Sequence, residues 1–285
     1  MRARISRYHS GTVVNEIDRD GNAREQRASF NDVAALYDEW RPGYPDAVYD
    51  DVITLPGLQA GAQLLEIGSG TGHATRGFAK RGFAIDCVEL GEQMAAIARR
   101  TLAEFPAVTI TVADFERWTA GERYDLVFSA SAYHWLNRDT RVQRITALLR
   151  PGGWIAVWRN HHVRSNAESD RFNERVQEIY RKTTPSLAGS SRGILTVDEI
   201  LRPEPEEWLT SGLFSAPLTR VYRWEGTYTS AEYIQMLNTH SVHRVLPETE
   251  RTALFDGISR LIDSEFNGRV IHEQATMTHM ARKKP

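Results

Sequence analysis

The chain is short of the residues that several classes of protein depend on. It has a single cysteine, Cys87, in 285 residues, which excludes an intrachain disulfide and any zinc site built from several thiolates. Neither sign of charge dominates: 35 Lys and Arg face 37 Asp and Glu, for a net charge of −2. A protein holding nucleic acid through a general field needs a clear basic excess, so no nucleic-acid partner is expected. No window approaches the ~18–20 apolar residues of a membrane span. The opening MRARISRYHS is charged with no apolar run behind it, unlike a secretory signal. The expectation is a soluble, cytoplasmic protein. With 41% hydrophobic and 25% charged residues, a chain of this length can bury a core large enough to stand without disulfide or structural metal.

Residues 1–28 are polar, with little periodicity, and read as a tail. From Phe30 the apolar residues Phe30, Val33, Leu36 and Tyr37 recur at helical steps. WRPGYP then breaks the chain before a second helix, from about Asp46 to Leu55. From residue 62, strands and helices alternate. AQLLEIG, FAIDCVEL, AVTITVA, YDLVFSA and WIAVWRN read as five strands, with helices from about Gly72 to Arg81, over EQMAAIARRTLAEF and over Asp139 to Leu149. Apolar strands separated by helices imply βαβ units and a parallel sheet covered on both faces. Beyond residue 160 the alternation stops. Ala167 to Lys182 reads as an amphipathic helix, TPSLAGSSRG as a loop and PEEWLTSGLF as a short helix. Strand-like LTRVYRWEG, helices near 230–239 and 248–266, and a final strand RVIHEQATMTHMA follow. The expected organisation is a tail over 1–28 and one domain over 29–285, with a core at 29–160, a helical cap at 161–215 and closing strands and helices at 216–285.

LEIGSGTGHAT, residues 65–75, places three glycines in five positions. A phosphate loop of the ATPase kind needs a lysine and a hydroxyl residue after its last glycine, but here His73 and Ala74 follow Gly72. A dinucleotide fold needs a third small residue where helix and strand pack, and His73 stands there. Glu66, Glu89 and Asp114 lie at the ends of three successive strands. Carboxylates in that crevice would repel a pyrophosphate and suit a cation. Glu89, about twenty residues past the loop, is placed to accept from ribose hydroxyls. Asp114 can accept from an adenine amino group, with Phe115 as an apolar surface for the ring. A nucleoside with positive charge where phosphate would stand is S-adenosylmethionine.

LLEIGSGTG, VEL, ADFERW, YDLVFSASAYHW and LLRPGGWIAVW occur in the order and at the spacings of the class I S-adenosylmethionine-dependent methyltransferases. The chain resembles that family from about Phe30 to Arg159 and loosely over its last two strands. FNDVAALYDEWRPGYP resembles the leading segment of the small-molecule branch, which includes trans-aconitate-type enzymes. The resemblance implies a Rossmann-like α/β fold: a doubly wound, mostly parallel seven-stranded sheet with an antiparallel last strand and a helical cap insertion. It implies S-adenosylmethionine as cofactor, with Gly68, Gly70 and Gly72 letting the backbone approach its homocysteine part and Glu66 near its amino group. Glu89 matches the ribose acid, Asp114 and Phe115 the adenine contacts, and Tyr37 and Arg41 the residues near the methionine end. Leu90 and Ser129 complete the expected cofactor set.

His134 and Tyr133 follow the fourth strand, where His134 is the candidate general base and Tyr133 is placed to orient the acceptor or to pack against the sulfonium. Arg159, Arg164, His161 and His162 form a basic group after the fifth strand, suited to an anionic substrate. No metal site is expected there, because adjacent strand residues point to opposite faces and no acidic cluster accompanies the histidines. Residues 129–135, SASAYHW, depart from the Asn-Pro-Pro-Tyr-type motif of adenine and amide methyltransferases. The expected activity is methyl transfer from S-adenosylmethionine to a small molecule, at oxygen. The alternatives are a nicotinamide-dependent oxidoreductase and a cofactor-binding module without catalysis.

Overall fold

The computed structural model describes residues 31, 33–121, 123–187, 194–201 and 206–285, so the expected tail and part of the loop after the cap helix lie outside the described residues. Seven strands form one sheet: β1 (Gln63–Ile67), β2 (Ala84–Glu89), β3 (Val108–Val112), β4 (Tyr124–Ala130), β5 (Leu149–His162), β6 (Leu218–Thr229) and β7 (Arg269–Arg282). Their order is β3-β2-β1-β4-β5-β7-β6. β1 to β5 are parallel, and β7 runs antiparallel to both β5 and β6. The expected mostly parallel, doubly wound sheet with an antiparallel last strand is the fold observed. Helices α1 (Ala34–Trp40), α2 (Asp46–Thr54), α3 (His73–Ala79), α4 (Glu92–Thr101) and α5 (Arg141–Leu148) flank the sheet. α6 (Ala167–Thr183), α7 (Ser230–Asn238) and α8 (Glu248–Glu265) build a group of their own around Phe172, Tyr233, Leu254 and Ile262.

β1 reads QLLEI without polar alternation because both of its faces are covered. Leu64 packs into one cluster with Tyr49, Phe78 and Phe128, and Leu65 into the other with Val142, Ile145 and Trp208. On the first face Phe128 and Trp158 stack at 5.4 Å between centroids and 8° between planes, with Phe78 tilted against Phe128 at 4.8 Å. β5 is longer than its apolar run suggests. It continues to His162 because β7 pairs with it residue by residue from Trp154 onward. Strand order reverses between β1 and β4, so the loops leaving these strands diverge and open a crevice at their carboxyl ends.

β1 carries a carboxylic acid into this core. Glu66 is 1% exposed, and Thr75 of α3 donates its hydroxyl proton to Glu66 Oε2 at 2.5 Å. Burial pushes the Glu66 carboxyl up to about 8, the Thr75 bond opposing and the charge of Glu89 adding to the rise. The folded state therefore holds a proton that an unfolded chain releases near pH ~4.3. The stability this contributes is complete at acid pH and is lost as pH rises through about 8. Glu66→Gln, which keeps the shape without titrating, should gain on the wild type between pH 5 and about 8 and then hold that lead at higher pH in thermal unfolding. Parallel curves for the two proteins would show that Glu66 is ionised throughout.

Gly77 of α3 lies under the Tyr49 ring, and a Cβ there would sit 2.1 Å from Tyr49 Cε1. Helix propensity alone favours Ala over Gly by about 1 kcal/mol. Overpacking against a buried ring costs about 1–3 kcal/mol, so Gly77→Ala should lower the melting temperature. Adding Tyr49→Leu should recover much of the loss, and an unchanged melting temperature in the single variant would show that the ring yields freely.

Candidate functional site

A cavity of about 410 Å³ opens at the carboxyl ends of the strands, within the size range of small-ligand pockets. Its floor is the loop after β1. Gly68, Gly70 and Gly72 have φ of 71°, 56° and 90°, a region open to glycine without strain. Gly68 must also lack a side chain because its Cβ would lie 2.5 Å from the Cβ of Ala132, on the loop after β4. Gly68 and Gly70 line the cavity. Gly72 does not: it caps α3, and a Cβ there would meet Leu102 Cδ1 at 2.7 Å, so its smallness serves packing against the end of α4.

Glu89, at the end of β2, lines the cavity with both carboxylate oxygens anchored. Gly70 N–H donates to Oε2 at 2.8 Å and Gly91 N–H to Oε1 at 2.7 Å. Burial raises its pKa, and these amide donors pull against that rise. Asp114, just past β3, accepts from Glu116 N–H at 3.0 Å and lines the same region beside Leu90, Phe115 and Met94. Two carboxylates beside an apolar slot and a glycine floor fit a nucleoside carrying a cationic group. Glu66 is placed differently from its expected role near an amino group. It lies beneath the loop with its carboxyl on Thr75, outside the cavity wall.

The segment after β4 divides its side chains between two environments. A 3-10 turn over Tyr133–Trp135 turns each successive side chain by about 120°. His134 therefore faces the cavity and solvent while Tyr133 points into the protein. The Tyr133 hydroxyl donates to Glu207 Oε1 at 3.1 Å and accepts from Trp208 Nε1 at 2.8 Å. The Arg141 guanidinium lies 4.1 Å from its ring centroid and pairs with Glu207. The expected role of Tyr133 in orienting the acceptor or packing against the sulfonium is thereby corrected: it is a strut between the turn and the segment around Trp208. Ser129 is likewise buried, donating to the Ile67 carbonyl at 2.8 Å below the cavity. Ser131, two residues on, is the serine that lines it. Its φ of 58° is uncommon for a residue with a side chain, and its Oγ lies 3.0 Å from the Tyr44 hydroxyl.

The other half of the cavity is lined by Tyr37 and Arg41 at the α1 end, by Arg159 through His162 of β5, and by Ser241. The Arg41 guanidinium carbon lies 5.3 Å from the Tyr37 ring centroid. Arg159 Nε–H donates to His161 Nε2 at 3.0 Å. Burial and the charge of Arg159 push His161 down to about 3, and burial also holds His162 well below its ordinary value. Arg164, expected in the same basic group, pairs instead with Asp170 at 2.5 Å outside the cavity wall. Sequence reading passed over Ser131, Asn160 and Ser241. Ser241 has no local signal, since it reaches the cavity from a distant part of the chain. Among the described residues, no group of three or more His, Cys, Asp or Glu is placed to hold a metal ion, and no helix is long and apolar enough to cross a membrane.

Residues 64–153 match the model of a methyltransferase domain. The chain is 24% identical over 240 residues to an uncharacterized methyltransferase of Mycobacterium tuberculosis, covering 84% of this chain and 87% of the relative. It is 29% identical to a trans-aconitate 2-methyltransferase of the same species over 40% of this chain and 43% of the relative. Its fold is similar to that of phosphoethanolamine N-methyltransferase 2 from Haemonchus contortus, solved with S-adenosylhomocysteine, with a TM-score of 0.52 and 16% identity over 94% of this chain and 60% of that one. The glycine floor, the two strand-end acids and the doubly wound sheet agree with these likenesses: residues 64–153 form a methyltransferase domain, and the fold is that of S-adenosylmethionine-dependent methyltransferases.

Proposed function

We propose that the enzyme methylates a carboxylate oxygen of a small anionic acceptor. The observation that carries this reading is the division of charge along the cavity. Glu89 and Asp114 line it at the ends of β2 and β3, whereas Arg41 and Arg159 line it together with the β5 side. A cationic half beside the donor suits an anion. The M. tuberculosis trans-aconitate methyltransferase, an enzyme named for an acid, supports the same direction.

The cofactor supplies a methyl group already activated by its sulfonium sulfur. Gly68, Gly70, Glu89, Leu90, Asp114 and Phe115 are proposed to hold it, with Tyr37 at its amino-acid end; Arg41, expected there as well, is assigned instead to the acceptor. The remaining work falls to positioning and the exclusion of water. Arg41 and Arg159 hold the acceptor by charge, and Trp135 and Leu136 line the cavity with apolar surface. Base catalysis has little purchase here. His161 and His162 are held neutral and weakly basic by burial, and a carboxylate is already deprotonated at neutral pH. His134 stands at the rim and is assigned to positioning.

Two measurements test this reading. Glu89→Ala should weaken S-adenosylhomocysteine binding by about 1.5–3 kcal/mol in calorimetry, the usual worth of hydrogen bonds to a charged group. Unchanged affinity would move the ribose contact elsewhere. With a carboxylic acid as acceptor, His134→Gln should lower kcat less than about tenfold across pH 5–9 and leave the profile's shape intact. General-base catalysis is worth about 10²–10⁴-fold, so a hundredfold loss with a vanished acidic limb would restore His134 as the base and argue for a hydroxyl acceptor.

A further inference from the structure

Behind the cavity's cationic half lies a group of polar side chains that methyl transfer leaves unused. In the antiparallel pairing of β5 with β7, His162 stands opposite Gln274 and Asn160 opposite Thr276. Side chains opposite each other share a face of the sheet, as do residues two apart on one strand. His272, Gln274 and Thr276 of β7 therefore stand beside Asn160 and His162 of β5. One end of this row is satisfied. Thr276 Oγ1 donates to Asn160 Oδ1 at 2.7 Å and accepts from Trp224 Nε1 at 2.9 Å, while Asn160 Nδ2 donates to the Gly43 carbonyl at 3.0 Å.

The other end is not satisfied. Among the described residues, neither the nitrogen nor the oxygen of the Gln274 amide has a hydrogen-bond partner, nor do His272 Nε2 and Arg41 Nε. Gln274 and His272 are 1% and 2% exposed. The His162 ring, which lines the cavity, stands edge-on to His272 at 4.2 Å between centroids. Other buried polar atoms without partners occur, Thr278 Oγ1 among them. In this group His162 and Arg41 line the cavity, with His272 packed edge-on behind His162 and Gln274 opposite it on β7. Buried polar side chains are paired in the great majority of cases, and departures from that rule gather at functional sites.

The chemistry of the group narrows what it can receive. Burial holds His162 well below its usual pKa and pushes His272 down to about 4, so both rings are neutral near pH 7. A neutral imidazole and a carboxamide each present a donor and an acceptor. Arg41 adds the one fixed charge, at the side facing the cavity. We propose that His162, His272 and Gln274 form a subsite for a neutral hydroxyl or carboxamide group at the far end of the acceptor, whose carboxylate lies on the Arg41 side. The inference rests on the anionic-acceptor reading and narrows it to a hydroxy- or amido-carboxylic acid.

Two measurements test the subsite, the first of them independent of turnover. Gln274→Leu replaces an unpaired amide by an apolar side chain, so the ligand-free protein should melt about 2 °C or more higher, with S-adenosylhomocysteine affinity unchanged. A lower melting temperature, or failure to fold, would show that Gln274 is a satisfied core residue and overturn the proposal. For the second, protein saturated with S-adenosylhomocysteine is titrated with matched acids: malate against succinate, citrate against tricarballylate, 4-hydroxybenzoate against benzoate. A site built to bond a hydroxyl discriminates strongly against the analogue lacking it. At least one hydroxylated member should bind about tenfold or more tightly than its partner, and Gln274→Leu and His272→Phe should each abolish that preference while the parent acid's affinity stays the same. Equal binding within every pair, or a preference that survives both substitutions, overturns the subsite and leaves the anionic acceptor standing. Failure of every acid to bind overturns both.

Discussion

The constraint on which the cavity depends is the approach of Gly68 to Ala132. The loops after β1 and β4 leave the sheet in opposite directions, yet meet so tightly that one methyl group at residue 68 would lie 2.5 Å from the Ala132 Cβ. The floor and one wall of the cavity are thus a single unit. Gly70, fixed by Glu89, extends the floor toward β2, and Ser131 takes its left-handed conformation beside Ala132 on the wall. The following turn sends His134 to the cavity and Tyr133 to Glu207 and Trp208, so the strut that begins at the wall ends in the segment past α6.

Much of this arrangement was legible because parallel strands buried on both faces read as uninterrupted apolar runs. Where such a run ends, the residue that follows is at the crevice, and Glu89 and Asp114 are found there. Glu66 occupies a similar sequence position but not a similar place, because Thr75 on the next helix covers it. That depends on how α3 packs, which no periodicity reports. The choice between Ser129 and Ser131, or between Tyr133 and His134, turns on where a side chain points within a turn of three residues. The full length of β5 was hidden for a different reason: its pairing partner, β7, lies more than a hundred residues further along the chain. Ser241 likewise comes from a distant helix, placed by tertiary packing alone.

Charge on the β5 side of the cavity is set by groups that do not titrate near neutrality. The cationic half depends on guanidinium groups, which stay protonated in proteins, while its histidines are silenced by burial. An acceptor half built on histidine charge would have changed its character within the physiological range. This one keeps it, and leaves its imidazoles free to act as hydrogen-bonding surfaces rather than as charges.

The placement of β7 also bears on how the molecule is made. β7 is the last of the seven strands in chain order, yet it lies between β5 and β6. As the chain leaves the ribosome, β1 to β5 can pair in turn, but the outer edge of β5 stays open and β6 has nothing to join until β7 emerges. An open edge of this kind is where one nascent chain recruits another. His162 stands on that edge, opposite Gln274. The strands that carry Glu89 and Asp114 can therefore pair early in synthesis, whereas the side proposed to receive the acceptor is completed only when β7 joins β5.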